Sequence, residues 1–266
     1  MTKRLLLIVI ALCTVSYYAH SAPPVNDLQR YLPPDQLVWL ETDNDDRYLA
    51  LYQQPMVSFA RGYMVHLPNW NLHPLQSPLI SHLYQQAPLF GWHSWALVPP
   101  SRAIRQHQLQ QHQSGSVYYQ PVDQSFFDQP IEALAQRITQ LNEEVVDEPG
   151  FSVWVVEGIT AAIAVKLLTE RPELMPDTLI VIDMYLPQRQ LNNEVAEQLS
   201  QLQLPVLDIY TANANAWAAK SQPKRQQYSQ KHQHVNYRQQ ALLSSAATAP
   251  QELTRAIKGW LKHQGF

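Results

Sequence analysis

The sequence predicts an α/β protein in which a mostly parallel sheet of about eight strands carries helices on both faces. Two observations lead to this prediction. In the second half of the chain, short runs that are apolar throughout alternate with segments whose apolar residues recur at helical spacing. In the first half, two apolar runs flank the acidic segment 43–46, which is typical of an antiparallel β-hairpin.

The individual elements follow from the same periodicities. Strands are expected at 37–41, 48–52, 62–67, 92–98, 151–156, 178–182, 206–210 and near 235–237. Helices are expected at 79–86, 130–144, 161–170, 193–202 and 251–263. Pro99 and Pro100 end the fourth strand, because proline has no N–H to continue a β-ladder.

Composition excludes several classes of function. The chain has 266 residues, of which 45% are apolar and 15% charged, and this is typical of a globular protein with a substantial core. Its 7 glycines are too far apart to form the glycine-rich loops that bind phosphate. A lone cysteine, Cys13, excludes a disulfide framework and a C-x-x-C site. We therefore expect no cofactor and no metal, and interpret His232 and His234 as part of a solvated loop.

The first residues have the pattern of a secretory signal peptide. In Met1–Ala22, two basic residues precede a short apolar run and a small-residue cleavage site. The apolar run is shorter than the roughly 20 residues that a spanning helix needs. Leu12 is too bulky beside Cys13 for a good lipoprotein signal. The sequence therefore predicts a secreted, periplasmic protein with no stable membrane span after cleavage.

Residues 23–266 are expected to form one domain. Removing residues 1–22 takes away two of the 19 basic residues and none of the 22 acidic ones, which leaves 17 − 22 = −5 with histidine neutral. This negative balance, without a basic stripe, argues against a nucleic-acid partner. One segment, 101–129, is rich in glutamine and histidine and is interpreted as a solvated excursion from the domain.

A hairpin that leads into a parallel, helix-covered sheet is typical of α/β-hydrolases, in which a sharp strand-to-helix turn presents the nucleophile. The corresponding turn is Glu157, Gly158, Ile159 and Thr160. Gly158 falls at the nucleophile position and has no side chain with which to attack a substrate. A second register stays open, in which Thr160 occupies the turn between Gly158 and Ala162. Against it, a β-branched residue is costly at positive φ.

The remaining triad positions also lack the expected groups. The acid normally follows the strand 206–210, but 211–215 contains no carboxylate. After Tyr237 the only histidine is His263, inside the last helix. Because nucleophile, base and acid act as a unit, these gaps together argue against a serine-hydrolase triad. The remaining catalytic candidates are Thr160, Glu157, His73 and His234.

Three further side chains have candidate roles. Trp70 and Trp217 fall in expected loops at the functional edge of the sheet, so both are candidate ligand contacts. Asp208 lies within an apolar strand, where a buried charge needs a partner, and we expect a structural hydrogen bond there. His73 precedes Pro74 and is interpreted either as a turn anchor or as part of an oxyanion hole.

The chain resembles the bacterial envelope family known as domain of unknown function 3530, which belongs to the α/β-hydrolase superfamily. The resemblance implies a fold and a compartment, and the family has no established reaction. It spans about residues 36–262 and rests on short segments in a specific order: Trp39–Glu41, Leu49–Tyr52, Ala60–Gly62, His73–Pro74, Gly91–Trp92, Glu157–Gly158, Val206–Tyr210, Tyr237–Gln239 and Gly259–Leu261.

Two functions remain as hypotheses. The first is an α/β-hydrolase-like protein that has lost catalysis and binds a small molecule or an envelope protein. The alternative is a divergent hydrolase of esters or amides, with Thr160 or an unrecognised group as nucleophile and His73 or His234 reaching in from a loop. The sequence favours the first because the triad is missing, whereas the second rests on the fold alone.

Overall fold

An eight-stranded sheet runs through the part of the chain that the computed structural model describes, which is residues 32–42, 47–70, 72–100, 124–243 and 248–266. The strands are β1 (Leu37–Glu41), β2 (Arg47–Gln53), β3 (Gly62–Leu67), β4 (Trp92–Leu97), β5 (Phe151–Glu157), β6 (Thr178–Ile182), β7 (Val206–Thr211) and β8 (Tyr237–Leu242). Their order in the sheet is β1-β2-β4-β3-β5-β6-β7-β8.

The pairing pattern separates the hairpin from the rest of the sheet. Strands β1 and β2 pair antiparallel, and β2 pairs antiparallel with β4. All pairs from β4 through β3 to β8 are parallel. The ends of β3 to β8 therefore define two edges. We call the edge at their last residues the carboxyl edge, and the opposite one the amino edge.

Helices cover both faces of the sheet. The helices are α1 (Pro78–Gln86), α2 (Asp128–Glu144), α3 (Gly158–Glu170), α4 (Arg189–Gln201), α5 (Ala216–Lys231) and α6 (Ala249–Gln264). Helices α2 to α5 pack on one face, where Leu134, Ile163 and Val195 join the larger core cluster. Helices α1 and α6 pack on the other, where Ile80 and Trp260 join a second cluster. The predicted α/β fold with helices on both faces is confirmed.

The central strands are mostly apolar because helices bury them on both faces. Every residue of β6 is buried, as are the four residues 153–156 of β5. The predicted bounds 178–182 match those of β6. The main differences lie near the end of the chain. There the structure has helix α5, which was not predicted, and the last strand starts at Tyr237 instead of near Val235.

Some expectations fall outside the described residues. These are the signal peptide at 1–22 with Cys13, the turn at 43–46, and most of the excursion at 101–129. The last residues of that excursion form a 3-10 turn, Gln124–Phe126, and the start of α2, and Phe127 is buried in the core. Residues Asp35–Phe266 form one compact unit. Within the described ranges no helix has the length and apolarity to span a membrane.

Candidate functional site

The turn from β5 into α3 is the candidate site. Glu157 is extended, with φ −112° and ψ 142°, and α3 begins at the next residue. Gly158 has φ +62°, the left-handed conformation that costs other L-residues energy. The helix therefore starts three residues earlier than the sequence pattern indicated. Gly158, and not Thr160, occupies the sharp turn.

The side chain of Asn69 fills the space where a nucleophile would lie. A Cβ atom added to Gly158 would meet Asn69 Oδ1 at 2.3 Å and Cγ at 2.5 Å, so even an alanine does not fit without a shift. Asn69 lies in the loop after β3, which the parallel pairing of β3 with β5 brings beside the turn. The close approach depends on a residue without a side chain at position 158.

Asn69 also accepts a hydrogen bond from the amide N–H that follows the turn. Ile159 N donates a hydrogen bond to Asn69 Oδ1 over 2.9 Å. In a nucleophile elbow, the N–H after the nucleophile is one of the two oxyanion donors. Here that donor is already satisfied within the protein. An oxyanion would have to displace the Asn69 carboxamide in order to bind.

Glu157 is held against the same loop. Asn69 N donates to Glu157 Oε2 over 3.3 Å. Burial raises the pKa of the Glu157 carboxyl. Hydrogen bonds from the Ser77 side chain and the Asn69 backbone lower this pKa, and the negative charge of Asp183 raises it again. The net direction is upward, so the carboxyl holds its proton more tightly than an exposed glutamate.

Thr160 lies inside α3 and is fully buried. Its hydroxyl donates to the backbone oxygen of Pro68 over 2.6 Å. In the described part of the chain, no histidine hydrogen-bonds this hydroxyl. The threonine therefore ties α3 to the loop after β3, and its oxygen does not face a base.

His73 caps the 3-10 turn Pro74–Gln76. Its Nδ1 accepts from Leu75 N over 3.2 Å, and its backbone N donates to Gln76 Oε1 over 2.8 Å. Burial lowers the pKa of His73 to about 4, so the ring is neutral at pH 7. Because Nδ1 accepts, the ring proton lies on Nε2, which is buried without a partner among the described residues.

Residues 211–215 after β7, where a triad acid would lie, contain no carboxylate. Instead, a carboxylate at the end of β6 contacts the end of β7. Asp183 follows β6 directly and has φ +48°. Its two carboxylate oxygens accept from Thr211 N over 2.8 Å and from Thr211 Oγ1 over 2.6 Å. Burial raises the pKa of Asp183, and these two hydrogen bonds lower it. The carboxylate fixes the end of β7 to the end of β6.

His234 lies at the other edge of the sheet from Thr160. It precedes β8, at the amino edge, and its Nε2 hydrogen-bonds Leu204 O over 3.0 Å. His232 ends α5 and contacts Glu197 over 3.3 Å. The two histidines do not share a strand. In the described ranges, no three His, Cys, Asp or Glu side chains are placed to share a metal ion.

The two candidate tryptophans have different surroundings. Trp70 is buried in the larger core cluster, so it is a packing residue and not an exposed ligand contact. Trp217 lies in the first turn of α5 and not in a loop. It is half-buried, with Lys220 Nζ 5.6 Å from the centre of its ring. Trp217 is thus the more accessible of the two.

Asp208 lies in a buried ion pair. Arg225 Nε of α5 donates to Asp208 Oδ2 over 2.7 Å, and both side chains are fully buried. Tyr237 and Gln239 of β8 donate to the same oxygen, over 2.5 Å and 2.8 Å. Burial lowers the pKa of Arg225, but the charge and hydrogen bond of Asp208, together with the charges of Tyr237 and Asp183, outweigh this effect and raise the pKa, so the guanidinium stays charged. The pair joins α5 to the sheet.

Comparison with known families decides which family the chain belongs to. The family described as protein of unknown function DUF3530 matches residues 17–263. The chain belongs to this family. None of the curated proteins compared with this DUF3530 chain matches it.

Solved structures show the same fold at low identity. An esterase from Pyrococcus furiosus has a TM-score of 0.59 at 10% identity, covering 85% of this chain and 91% of that one. Dienelactone hydrolase from Anabaena variabilis has a TM-score of 0.58 at 10% identity, covering 85% and 96%. An α/β serine hydrolase homologue from Coxiella burnetii has 0.55 at 10% identity, covering 88% and 99%. The DUF3530 chain therefore has an α/β-hydrolase-like fold.

Three of the residues that shape the site of the DUF3530 chain were not predicted from the sequence. Asn69 lies in a loop without periodicity, and nothing in the sequence indicates that it reaches the turn after β5. Asp183 follows an apolar strand directly, a position that could have marked it as a residue of the carboxyl edge. Arg225 lies in α5, the helix that was not predicted.

Proposed function

We propose that this protein is a non-catalytic α/β-hydrolase-like protein of the bacterial envelope, which binds a small molecule or another envelope protein instead of cleaving an ester. One observation carries the proposal: Gly158 stands at the nucleophile position, and Asn69 fills the adjacent space and caps the oxyanion amide. A hydrolase of this fold needs both features that Asn69 and Gly158 remove, an attacking atom and an available N–H.

The polar groups of the carboxyl edge support binding. Glu157 and Asp183 both have raised pKa values, and buried carboxyls of this kind often mark functional sites. His73 directs a buried Nε2–H that has no acceptor among the described residues. The His73 N–H is the unpartnered donor of this group, and the two carboxyls, although hydrogen-bonded within the protein, keep further lone pairs that accept from a polar ligand. The resemblance of the DUF3530 chain to envelope proteins supports the compartment.

Esterase assays test the loss of catalysis. Hydrolysis of short and medium acyl esters is measured for the purified protein, for Thr160→Ala and for a matched control, Thr169→Ala. Both threonines lie in α3 and donate to a backbone carbonyl, but Thr169 contacts Val165 O, away from the turn. We expect no turnover by any of the three proteins.

Two outcomes would contradict the proposal. Turnover that Thr160→Ala abolishes and Thr169→Ala preserves would make Thr160 a nucleophile. Turnover that survives both substitutions would show that another group catalyses hydrolysis.

In the same preparations, mass spectrometry of the denatured protein tests binding: we expect a co-purified molecule that Glu157→Gln loses. The exposed Glu143→Gln serves as its control.

A further inference from the structure

The amino edge of the sheet carries an exposed apolar tip. Residues 56–59 precede β3, and Met56 is 66% exposed and Phe59 80% exposed. Leu89, in the turn before β4, is 48% exposed beside them. Most large apolar side chains of a soluble protein lie inside, so a cluster of exposed ones marks an interaction surface.

The backbone holds this tip in place. Met56 N donates to Pro88 O over 2.9 Å, and Arg61 N donates to Gly91 O over 2.7 Å. The exposed side chains between these two hydrogen bonds are therefore presented on a fixed segment.

A groove separates the tip from α6. It has a volume of about 820 Å3, and Val57, Phe59, Leu89 and Phe90 supply apolar walls. Lys258 and Lys262 of α6 lie on its rim, and Lys258 Nζ is 4.0 Å from the centre of the Phe90 ring. Both lysines are exposed. The rim thus combines cations with apolar surface.

Helix α6 presents a basic face although the chain as a whole is negative. Arg255, Lys258 and Lys262 are exposed and spaced at three and four residues, so they lie on one side of the helix. The only acid within α6 is Glu252, in its first turn. No carboxylate side chain of the described residues pairs with Lys258 or Lys262. Arg61 is engaged differently, with the backbone oxygens of Phe90 and Phe266.

We infer that this edge docks on an anionic phospholipid bilayer. The tip at 56–59 inserts its apolar side chains among the lipids, and the basic face of α6 contacts the acidic headgroups. Cations beside an apolar wedge match the two layers of such a surface, headgroup and acyl chain. The inference is independent of the proposed function, because the groove lies at the opposite edge from Gly158.

Vesicle sedimentation with the full chain tests the inference. Vesicles of equal parts phosphatidylglycerol and phosphatidylcholine are compared with phosphatidylcholine alone. Each basic residue near an anionic surface strengthens binding about fivefold, so Lys258→Gln with Lys262→Gln should weaken it about 25-fold. The control pair, Lys220→Gln with Lys224→Gln, removes the same charge from exposed positions in the first part of α5 and should have little effect.

A second pair of variants separates the apolar contribution. Phe59→Ser should weaken binding to the anionic vesicles on the order of tenfold. Leu243→Ser, which changes a side chain that is 75% exposed at the carboxyl edge, should leave it unchanged. All variants carry the same residues 1–31, so differences among them report on α6 and the tip. Thermal unfolding confirms that each variant is folded.

Several results would overturn the inference. These are equal binding to both vesicle types, equal losses in the α6 and α5 lysine pairs, or full binding by Phe59→Ser. Absence of vesicle binding together with a dimer that Phe59→Ser dissociates would show that a second copy of the chain covers this edge.

Discussion

At the carboxyl edge of the sheet, polar side chains hydrogen-bond one another and the backbone, whereas at the amino edge the apolar side chains of residues 56–59 and the lysines of α6 face outward. Asn69 at the carboxyl edge satisfies Ile159 N and contacts Glu157. At the amino edge, Phe59 and Lys258 border an open groove. Both edges include a glycine with positive φ, Gly158 and Gly62.

The two glycines differ in which atoms would clash with an added side chain. At Gly158 the atoms that exclude a side chain belong to Asn69, so one substitution elsewhere could create space. At Gly62 they belong to the backbone of Phe151, the neighbouring residue on β5. At the carboxyl edge, the Asn69 side chain fills the candidate site beside Gly158. At the amino edge, the close contact of Gly62 with Phe151 belongs to the pairing of β3 with β5.

Gly62→Ala should give the largest loss of stability. A Cβ atom there would lie 2.0 Å from Phe151 O, and φ is +135°. Strain and overpacking together should lower the free energy of unfolding by roughly 4 kcal/mol or more, as measured by urea unfolding. Gly259→Ala is the matched control, because a Cβ there meets nothing within 4 Å and alanine favours the helix. A Gly62→Ala protein as stable as the wild type would show that the strands can separate locally.

Periodicity was sufficient to predict most of the fold. The run 178–182 coincides with β6 because a strand buried on both faces is made mostly of apolar residues. Periodicity did not predict α5, because the residues of this helix are mostly polar and include Pro223. Proline normally interrupts a helix, and here burial of Arg225 against Asp208 holds the helix on the sheet.

The candidate site was only partly predictable. Gly158 could be recognised because the turn after a buried strand has a fixed place in this fold. Asn69 could not, because its contact depends on where β3 places a loop relative to β5. The burial of Trp70 could not be predicted for the same reason: it follows Asn69 in the chain, and its side chain packs in the core.

Gly158→Ala should be the second largest effect and, unlike Gly62→Ala, should be partly rescued. Positive φ and the clash with Asn69 should together lower the free energy of unfolding by about 3 kcal/mol. Asn69→Ala alone should cost about 1–3 kcal/mol, because it leaves Ile159 N without its acceptor. The double variant should be more stable than the sum of the two losses indicates, since Asn69 Oδ1 and Cγ no longer clash.

A double-mutant cycle by urea unfolding measures this coupling. We expect an interaction free energy of at least about 1 kcal/mol. Additive losses would show that Gly158 and Asn69 act independently, and the interpretation of Asn69 as the group that excludes a side chain would then be wrong.

The two edges also differ in how fully their buried carboxyl groups are hydrogen-bonded. Glu157, at the carboxyl edge, receives hydrogen bonds from Asn69 and Ser77, which oppose the rise in its pKa. Glu148 precedes β5 at the amino edge. Burial, and then the charge of Glu144, raises the pKa of Glu148 to about 7. Its Oε1 lies 3.0 Å from His93 Nδ1, but its Oε2 is buried without a partner among the described residues.

Glu148→Gln should stabilise the protein by about 2 kcal/mol at pH 8, a figure that discounts the pKa shift for solvent screening of a partly exposed group, and should have little effect at pH 4. An acid whose pKa is higher in the folded state loses stability as pH rises from about 4.5 to about 7, because folding then opposes ionisation. Glutamine cannot ionise, so the variant avoids this loss. Urea unfolding at the two pH values measures it, with the exposed Glu143→Gln as control. Glu157→Gln should gain less, because its carboxylate is hydrogen-bonded, and an equal or larger gain would contradict this difference between the edges.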